Sequence, residues 1–470
     1  MELNLNLNID KDKIFYKTIA AITIPIALQN IISYGVNLMD TVMLGKLGEV
    51  ALSATSLANQ VFFMFTLLIF GIGGGAVVLC SQYWGSKNIL SIQKITTIIL
   101  KISFAVSLLF AIVLLIFPKE VMTIFTCDVE VIKSGTSYLR MISISYLFYG
   151  LTSTFLVILR SVETVNICLK IYIISFIVNV IFNYIFIFGK FSMPVLGVTG
   201  AAVGTLIARM VEFIIILVYM LKFEKKINYK IHMLKFKDKN LLKDIIKYGM
   251  PVICNELLWG IGISIHAVIL GHLSSSVVAA NSICNVIYQM STSFILGVAN
   301  ASSVVMGKTI GSGDKREAIN IKNKLLFIYL ILGITTATIL LLIKNPLISL
   351  YNIEDSTKAI ANNLMYVYAF HILFQAFTSP IIAGVLRGGG DTKFAAIIDV
   401  IFLWLLLPVG FVAAFKFNLN PVTVKYKLDK VSSLIQLILS YTYILIYLSI
   451  YFIISSNVAY EPIAPFLVVL

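Results

Sequence analysis

The sequence predicts an all-α, polytopic membrane protein with about twelve transmembrane helices in two pseudo-symmetric six-helix lobes, and three observations carry that prediction. Of the 470 residues, 59% are hydrophobic and 12% charged, with a mean hydropathy of +0.97. Water-soluble chains are nearer one half apolar and about a quarter charged. Apolar runs long enough to cross a bilayer as helices, about 20 residues each, recur along the whole chain and do not alternate with period two, which excludes a transmembrane barrel. The chain also repeats itself at a constant offset of 226 residues.

The spans are read between charged or Gly/Pro/Asn-rich breaks. The polar start, Met1 to Lys17, precedes an apolar run that is too long for a signal-peptide core and has no small-residue cleavage site, so it is expected to stay attached. Six runs follow at Thr18 to Leu44, Ala51 to Cys80, Ile95 to Phe117, Met141 to Leu159, Ile167 to Phe188 and Val198 to Leu221. A connection with eight lysines, Lys222 to Lys243, marks the midpoint. Six more runs occupy Ile245 to Leu270, Val277 to Val305, Leu325 to Ile343, Ile360 to Leu386, Phe394 to Phe415 and Leu434 to Ile454. The expected domains are therefore an N-lobe at 1–221, a basic linker at 222–244 and a C-lobe at 245–470, atypical after about 420.

A net charge of +14 would point to nucleic acid in a soluble protein. Here basic residues orient helices, because cytoplasmic connections carry the excess of Lys and Arg. Connections on the side of the N-terminus, counted with Lys101 and Lys170 near the adjoining span ends, hold 23 of the 36 basic residues and those on the opposite side 11, with Arg209 and Lys247 completing the total from inside other spans. The N-terminus is expected in the cytoplasm of a multi-pass protein in the cell (plasma or inner) membrane, with no nucleic-acid partner. The five cysteines show no CxxC or Cys/His spacing and read as small buried hydrophobes rather than disulfides or a zinc site.

The repeat is gap-free over 61 positions, of which 14 are identical, among them Pro25 with Pro251, Gly45 with Gly271, Asn59 with Asn285, Gly71 with Gly297 and Gly85 with Gly311. A second echo sets Leu159-Arg160-Ser161 and Glu163-Thr164 beside Leu386-Arg387-Gly388 and Asp391-Thr392. An even number of spans makes the repeats parallel, and transporters built from repeats keep their sites near mid-membrane between or within them.

Pro25, Asp40 and Val42 to Gly48, then Gly197 to Thr205, then Val385-Leu386-Arg387-Gly388-Gly389-Gly390-Asp391-Thr392-Lys393 resemble the multidrug and toxic compound extrusion (MATE) transporters over roughly Lys11 to Asn420. The resemblance implies two six-helix lobes forming a V, alternating access, and export of amphipathic, often cationic compounds driven by inward Na+ or H+. It also implies an N-lobe cation site in which Asp40 is joined by Asn179 and Asn183 on span five and Thr205 on span six. Asn183 stands where the family pattern has a second carboxylate, leaving one charge in that cavity, which suits a proton or a weakly held monovalent ion.

Intramembrane acids are functional candidates by default, since a lone carboxylate in hydrocarbon is costly. Asp40 reads as such an acid or as a residue snorkelling near the helix end. Glu256, five residues after Pro251 and beside Asn255, is the second candidate for cation coupling. His266 occupies the repeat position of Asp40 and reads as a proton relay or a hydrogen-bonded interior residue. Asp399 reads as a second C-lobe acid or a helix-end residue. Pro25 and Pro251 remove intrahelical hydrogen bonds and read as gates or as simple bends. Arg209 and Glu212, three apart, read as a structural pair. Glu163 and Asp391 read as turn and cap residues or as locks on the inner face. Gly71, Gly73, Gly74 and Gly75 read as close helix packing, and Phe62, Phe63, Met64, Phe65, Tyr288, Gln289 and Met290 as lipid-facing or cavity-lining.

No Walker loop, GxSxG or HExxH is present, so neither an ATP-driven pump nor an enzyme is expected. The expectation is an antiporter, monomeric, surrounded by membrane lipids, using Na+ or H+ as coupling ion and no other cofactor or metal. The alternatives are a lipid-linked saccharide flippase, which would need several cavity arginines where only Arg209 is evident, and, further off, a membrane-embedded enzyme.

Overall fold

A computed structural model describes the backbone of residues 2–271, 275–349 and 354–415, without the side chains of 2–11, 266–279, 315, 356, 402–403, 405–407 and 409–415. Every regular element among the described residues is helical. The α-helices are α1 (Glu2–Gly45), α2 (Glu49–Gly85), α3 (Ile89–Ile116), α4 (Pro118–Phe125), α5 (Val129–Ile142), α6 (Ser145–Ser161), α7 (Asn166–Phe188), α8 (Val198–Val218), α9 (Lys239–Gly271), α10 (Ser275–Gly311), α11 (Lys315–Ser349), α12 (Asp355–Ser379), the single turn α13 (Arg387–Gly389) and α14 (Thr392–Phe415), with short π- or 3-10-helical pieces at Tyr219–Phe223, Ile231–Lys235 and Pro380–Leu386. These account for eleven of the twelve expected spans. The twelfth, Leu434 to Ile454, and the atypical C-terminal stretch lie outside the described residues. Among the described residues eight helices are long and apolar enough to cross a membrane, nine when α5 and α6 count as one span bent by 51°.

Most helices outrun their apolar cores. Where 325–343 was expected, α11 runs from Lys315 to Ser349, because polar residues continue a helix freely once it leaves hydrocarbon. Capping fixes several ends: the Asn88 side chain accepts from the Ser91 N–H at 3.1 Å, and Asp128 Oδ1 accepts from Glu130 and Val131 at 2.9 and 3.2 Å. Gly189, at φ 64°, ends α7.

The chain falls into two compact units. One, here the N-unit, holds Leu28–Cys80 and Asn88–Ile253; the other, the C-unit, holds Met1–Ala27, Ser81–Lys87 and Cys254–Leu470. In the N-unit, α7 and α8 form a tight hairpin that packs through α8 on α5 and α6. Phe62, Phe65, Phe110, Tyr146 and Tyr149 form an aromatic cluster in which Phe65 and Tyr146 are fully buried. Phe65 therefore belongs to the core and faces neither lipid nor a cavity. In the C-unit the core is made by α10, α11 and α12, with Cys284, Ile295, Leu340, Met365, Tyr368 and Ile372 among its buried residues. Cys80, Cys168 and Cys284 are buried as expected, whereas Cys127 and Cys254 are exposed.

The repeat is physical as well as textual. In the N-unit a Cβ on Gly71 would lie 2.7 Å from the Ile253 Cα, and one on Gly75 would collide with Gly249, so α2 packs backbone to backbone on α9. In the C-unit the repeat-related Gly297 of α10 leaves room for the Thr23 carbonyl of α1, 2.8 Å from where a Cβ would sit. The first helix of each repeat thus packs, up to two residues past its proline, on the second helix of the other repeat. Ala27 and Ile253, the last residues before α1 and α9 change units, are themselves 226 apart. Gly85 and Gly311 complete the exchange, each packed on the carbonyl of the repeat-related residue in the other helix, Lys308 and Gln82.

The basic connection is a docked segment and not a loose tether. Glu224, nearly buried, accepts from the N–H groups of Lys226, Ile227 and Asn228 at 2.7, 2.9 and 2.9 Å. Gln93 donates to the Ile227 carbonyl at 2.7 Å, Lys101 to that of Phe236 at 2.9 Å, and the Tyr229 and Thr97 hydroxyls share a hydrogen bond of 2.9 Å. Asp238 caps α9; the Leu241 N–H, with Lys94 beside it, holds its carboxyl below the usual carboxylate range.

Candidate cation-coupling site

Asn179 and Asn183 are one helical turn apart on α7 and so share a face, and that face meets α8 where Gly200 and Gly204 remove the side chains that would hold the helices apart. A Cβ on Gly204 would collide with Asn183 Oδ1 and lie 2.8 Å from its backbone N. The result is a continuous polar chain inside the N-unit. Asn183 Nδ2 donates to Asp40 Oδ1 at 2.6 Å and to Asn179 Oδ1 at 3.2 Å, and Asn179 Nδ2 donates to Thr205 Oγ1 at 3.2 Å. Asn179 and Asn183 are buried; Asp40 and Thr205 are partly so. All four residues that the resemblance grouped are brought together.

Both amide hydrogens of Asn183 are used while its Oδ1 is buried and without a hydrogen-bond partner. That orientation is the one a carboxylate requires, since the reverse would set two acceptors face to face. A proton on Asp40 would create an O–H donor for which Oδ1 is the matching acceptor, and a small cation would find the same oxygen.

Arg209 and Glu212 form the expected pair, with both carboxylate oxygens accepting from Nη1 at 2.9 and 2.8 Å. The guanidinium lies 4.9 Å from the Tyr149 ring centroid and 6.0 Å from that of Phe62. This charge is matched within its own helix.

Glu256 and Asp399 sit in the C-unit, each with a partner that sequence reading did not supply. Arg387 directly follows the expected span end at Leu386. Helix α12 continues through a π-helical segment, Pro380–Leu386, into α13, where Arg387 is 7% exposed and its Nη1 donates to Glu256 Oε1 at 2.8 Å. Asn255 Nδ2 donates to Asp399 Oδ2 at 3.0 Å. The signal for Arg387 was available: a buried acid needs a cation, and the Leu-Arg echo had already aligned Arg387 with Arg160. Arg160 also turns inward, its Nη2 donating to Gln29 Oε1 at 2.6 Å. Glu163 is a turn residue at φ 59°, and Asp391 caps α14 through the Phe394 N–H at 3.2 Å. The side chain of His266 lies outside the description. Pro25 and Pro251 lie within uninterrupted helices.

A family model, MatE, matches residues 25–185 and again 251–412. The chain belongs to this family, that of the MATE transporters. The two matches begin at the two repeat prolines, 226 residues apart. The chain is 24% identical over 409 residues to the probable multidrug resistance protein YoeA of Bacillus subtilis, covering 84% of this chain and 86% of that one. It is likewise 24% identical over 413 residues to the probable multidrug resistance protein NorM of Thermotoga maritima, covering 86% and 87%. Its fold matches the outward-facing conformation of a multidrug resistance MATE family transporter of the MOP superfamily with a TM-score of 0.84 at 18% identity, over 92% of this chain and 96% of that one. A crystal structure of MATE in the bent conformation matches with a TM-score of 0.85 at 17% identity, over 94% and 97%.

Proposed function

We propose that this MATE-family membrane transporter is a secondary antiporter exporting amphipathic or cationic compounds in exchange for inward Na+ or H+, with Asp40 as its coupling acid. One observation carries the reading: a single carboxylate on a membrane helix is held by an amide whose own oxygen is unpaired, so the group can trade a proton or monovalent cation by rotation of one side chain. Asn179 and Thr205 anchor that amide. The names of the relatives YoeA and NorM support drug-like substrates. Glu256 and Asp399 form a second acid site in the C-unit. Pro25 and Pro251 are the gating positions, because each lies just before the point at which its helix changes contact unit. The protein works as a monomer in the cell membrane with its N-terminus in the cytoplasm. A flippase is not favoured: Arg387 and Arg160 raise the number of inward arginines, but Glu256 and Gln29 already engage them, and both halves match the MATE family.

The test is dye efflux from everted vesicles under an imposed Na+ gradient and, separately, an imposed pH gradient. One of the two gradients should drive a cationic dye. Efflux indifferent to both, with surface expression confirmed, removes the antiport reading.

A further inference from the structure

Two successive residues of α9, four and five positions after Pro251, reach opposite ends of one short segment. Glu256 takes Arg387 on α13 at 2.8 Å, and Asn255 donates to Asp399 on α14 at 3.0 Å. Between these anchors the backbone turns sharply: Gly390 has φ 98° and donates to the Arg387 carbonyl at 2.9 Å, and the Asp391 N–H donates to that of Leu386 at 3.0 Å. This turn is packed without slack. A Cβ on Gly388 would lie 2.8 Å from the Ser303 Cα, and Gln82, at the end of α2, donates to the Gly388 carbonyl at 3.4 Å. Any displacement of Arg387 is therefore transmitted to the turn and to the α2 end that rests on it.

The charges that face Glu256 among the described residues are Arg387 and Asp399. With both acids ionised, the guanidinium leaves the cluster with one net negative charge, where the two acids alone would carry two. Arg160, the repeat counterpart, meets the neutral Gln29. The same arginine position thus answers to a charge in one half of the chain only.

We propose that Arg387 is a tethered cation in this acid site. It occupies Glu256 until an incoming monovalent cation or proton takes its place, it limits the site to one such ion, and its release loosens the Gly388–Gly390 turn and the end of α2. The inference rests on the antiport reading for its use in transport, but the competition itself does not.

All three tryptophans, Trp84, Trp259 and Trp404, lie in the C-unit, and Trp259 is three residues from Glu256, so intrinsic fluorescence of the purified full-length protein reports on this site. Na+ titration at fixed pH, and pH titration without Na+, are compared for wild type, R387Q, R160Q, E256Q and E256Q/R387Q. Removing a charge-assisted competitor should lower the half-saturating Na+ concentration of R387Q by roughly ten-fold, or displace its pH midpoint upward by about one unit. R160Q should titrate as wild type, and the double variant should match E256Q. A midpoint for R387Q within about two-fold of wild type overturns the proposal. If R387Q does not fold, R387K carries the test: its single-point ammonium replaces the fork, and about a two- to five-fold shift in the same direction is expected, no shift being the overturning result. Gradient-driven efflux measured in parallel separates the two ideas, since loss of efflux in wild type strikes the antiport reading while a shifted midpoint in R387Q still upholds the competition.

Discussion

Gly204→Ala is the sharpest probe of the N-unit site because it touches no charged group. Its methyl would occupy the space of Asn183 Oδ1 and press on the Asn183 N at 2.8 Å, so the amide has to swing away from Asp40 or the α7–α8 hairpin has to open. Overpacking of this kind costs about 1–3 kcal/mol of stability. Losing the 2.6 Å hydrogen bond to Asp40, a bond to a charged acceptor, removes about 1.5–3 kcal/mol from the ionised form, which corresponds to roughly a 10- to 150-fold change in the ion concentration that half-saturates transport. Gly200→Ala is the control: its Cβ would strike the Phe186 carbonyl in the same hairpin without reaching the polar chain. Proteoliposome efflux titrated with Na+ or pH, together with thermal unfolding in detergent, should show both variants destabilised and only Gly204→Ala displaced in half-saturation. Equal ion dependence in the two variants would refute the claim that Asn183 tunes Asp40.

Asp40→Asn should abolish gradient-driven efflux with folding intact, as read by size-exclusion elution and efflux; undiminished transport would sink the assignment. Asn183→Asp puts a second carboxylate within hydrogen-bond reach of the first, and two such groups share a proton or a cation, so Na+ binding should strengthen or transport become half-maximal at higher pH. Glu256→Gln strands a nearly buried guanidinium and should cost about 3–5 kcal/mol, read as a lowered thermal midpoint that Glu256→Gln/Arg387→Gln partly restores. Glu224→Ala leaves three linker N–H groups without their acceptor and should open the connection to trypsin, whereas the wild-type linker resists cleavage despite its lysines.

The span pattern was legible because hydrocarbon imposes length and composition on every crossing helix, and the repeat because glycines at helix contacts tolerate no substitute. The grouping of Asp40, Asn179, Asn183 and Thr205 came from family resemblance, since nothing in their spacing links residues 40 and 183. What could not be read was whatever depends on helix continuation: the π-helical stretch that turns Arg387 inward, the 51° bend between α5 and α6, and the docking of a linker whose lysines look solvated until Glu224 and Gln93 are seen to hold its backbone. Phe65 and Cys254 were misjudged for one shared reason. Which side of an all-apolar helix faces its neighbours is set by packing, and a uniformly greasy sequence does not encode it.

The exchanged packing of the first helices has a consequence for biogenesis. The segment of α1 up to Ala27 is seated against Gly297 of α10, about 270 residues later in the chain. At ribosomal speeds of about 5–20 residues per second, the nascent first helix waits on the order of fifteen seconds to a minute inside the bilayer before its partner is synthesised. The α2 face at Gly71 and Gly75 waits in the same way for α9. Insertion and folding are therefore separated in time, and neither half of the chain can finish its packing until the other has left the ribosome.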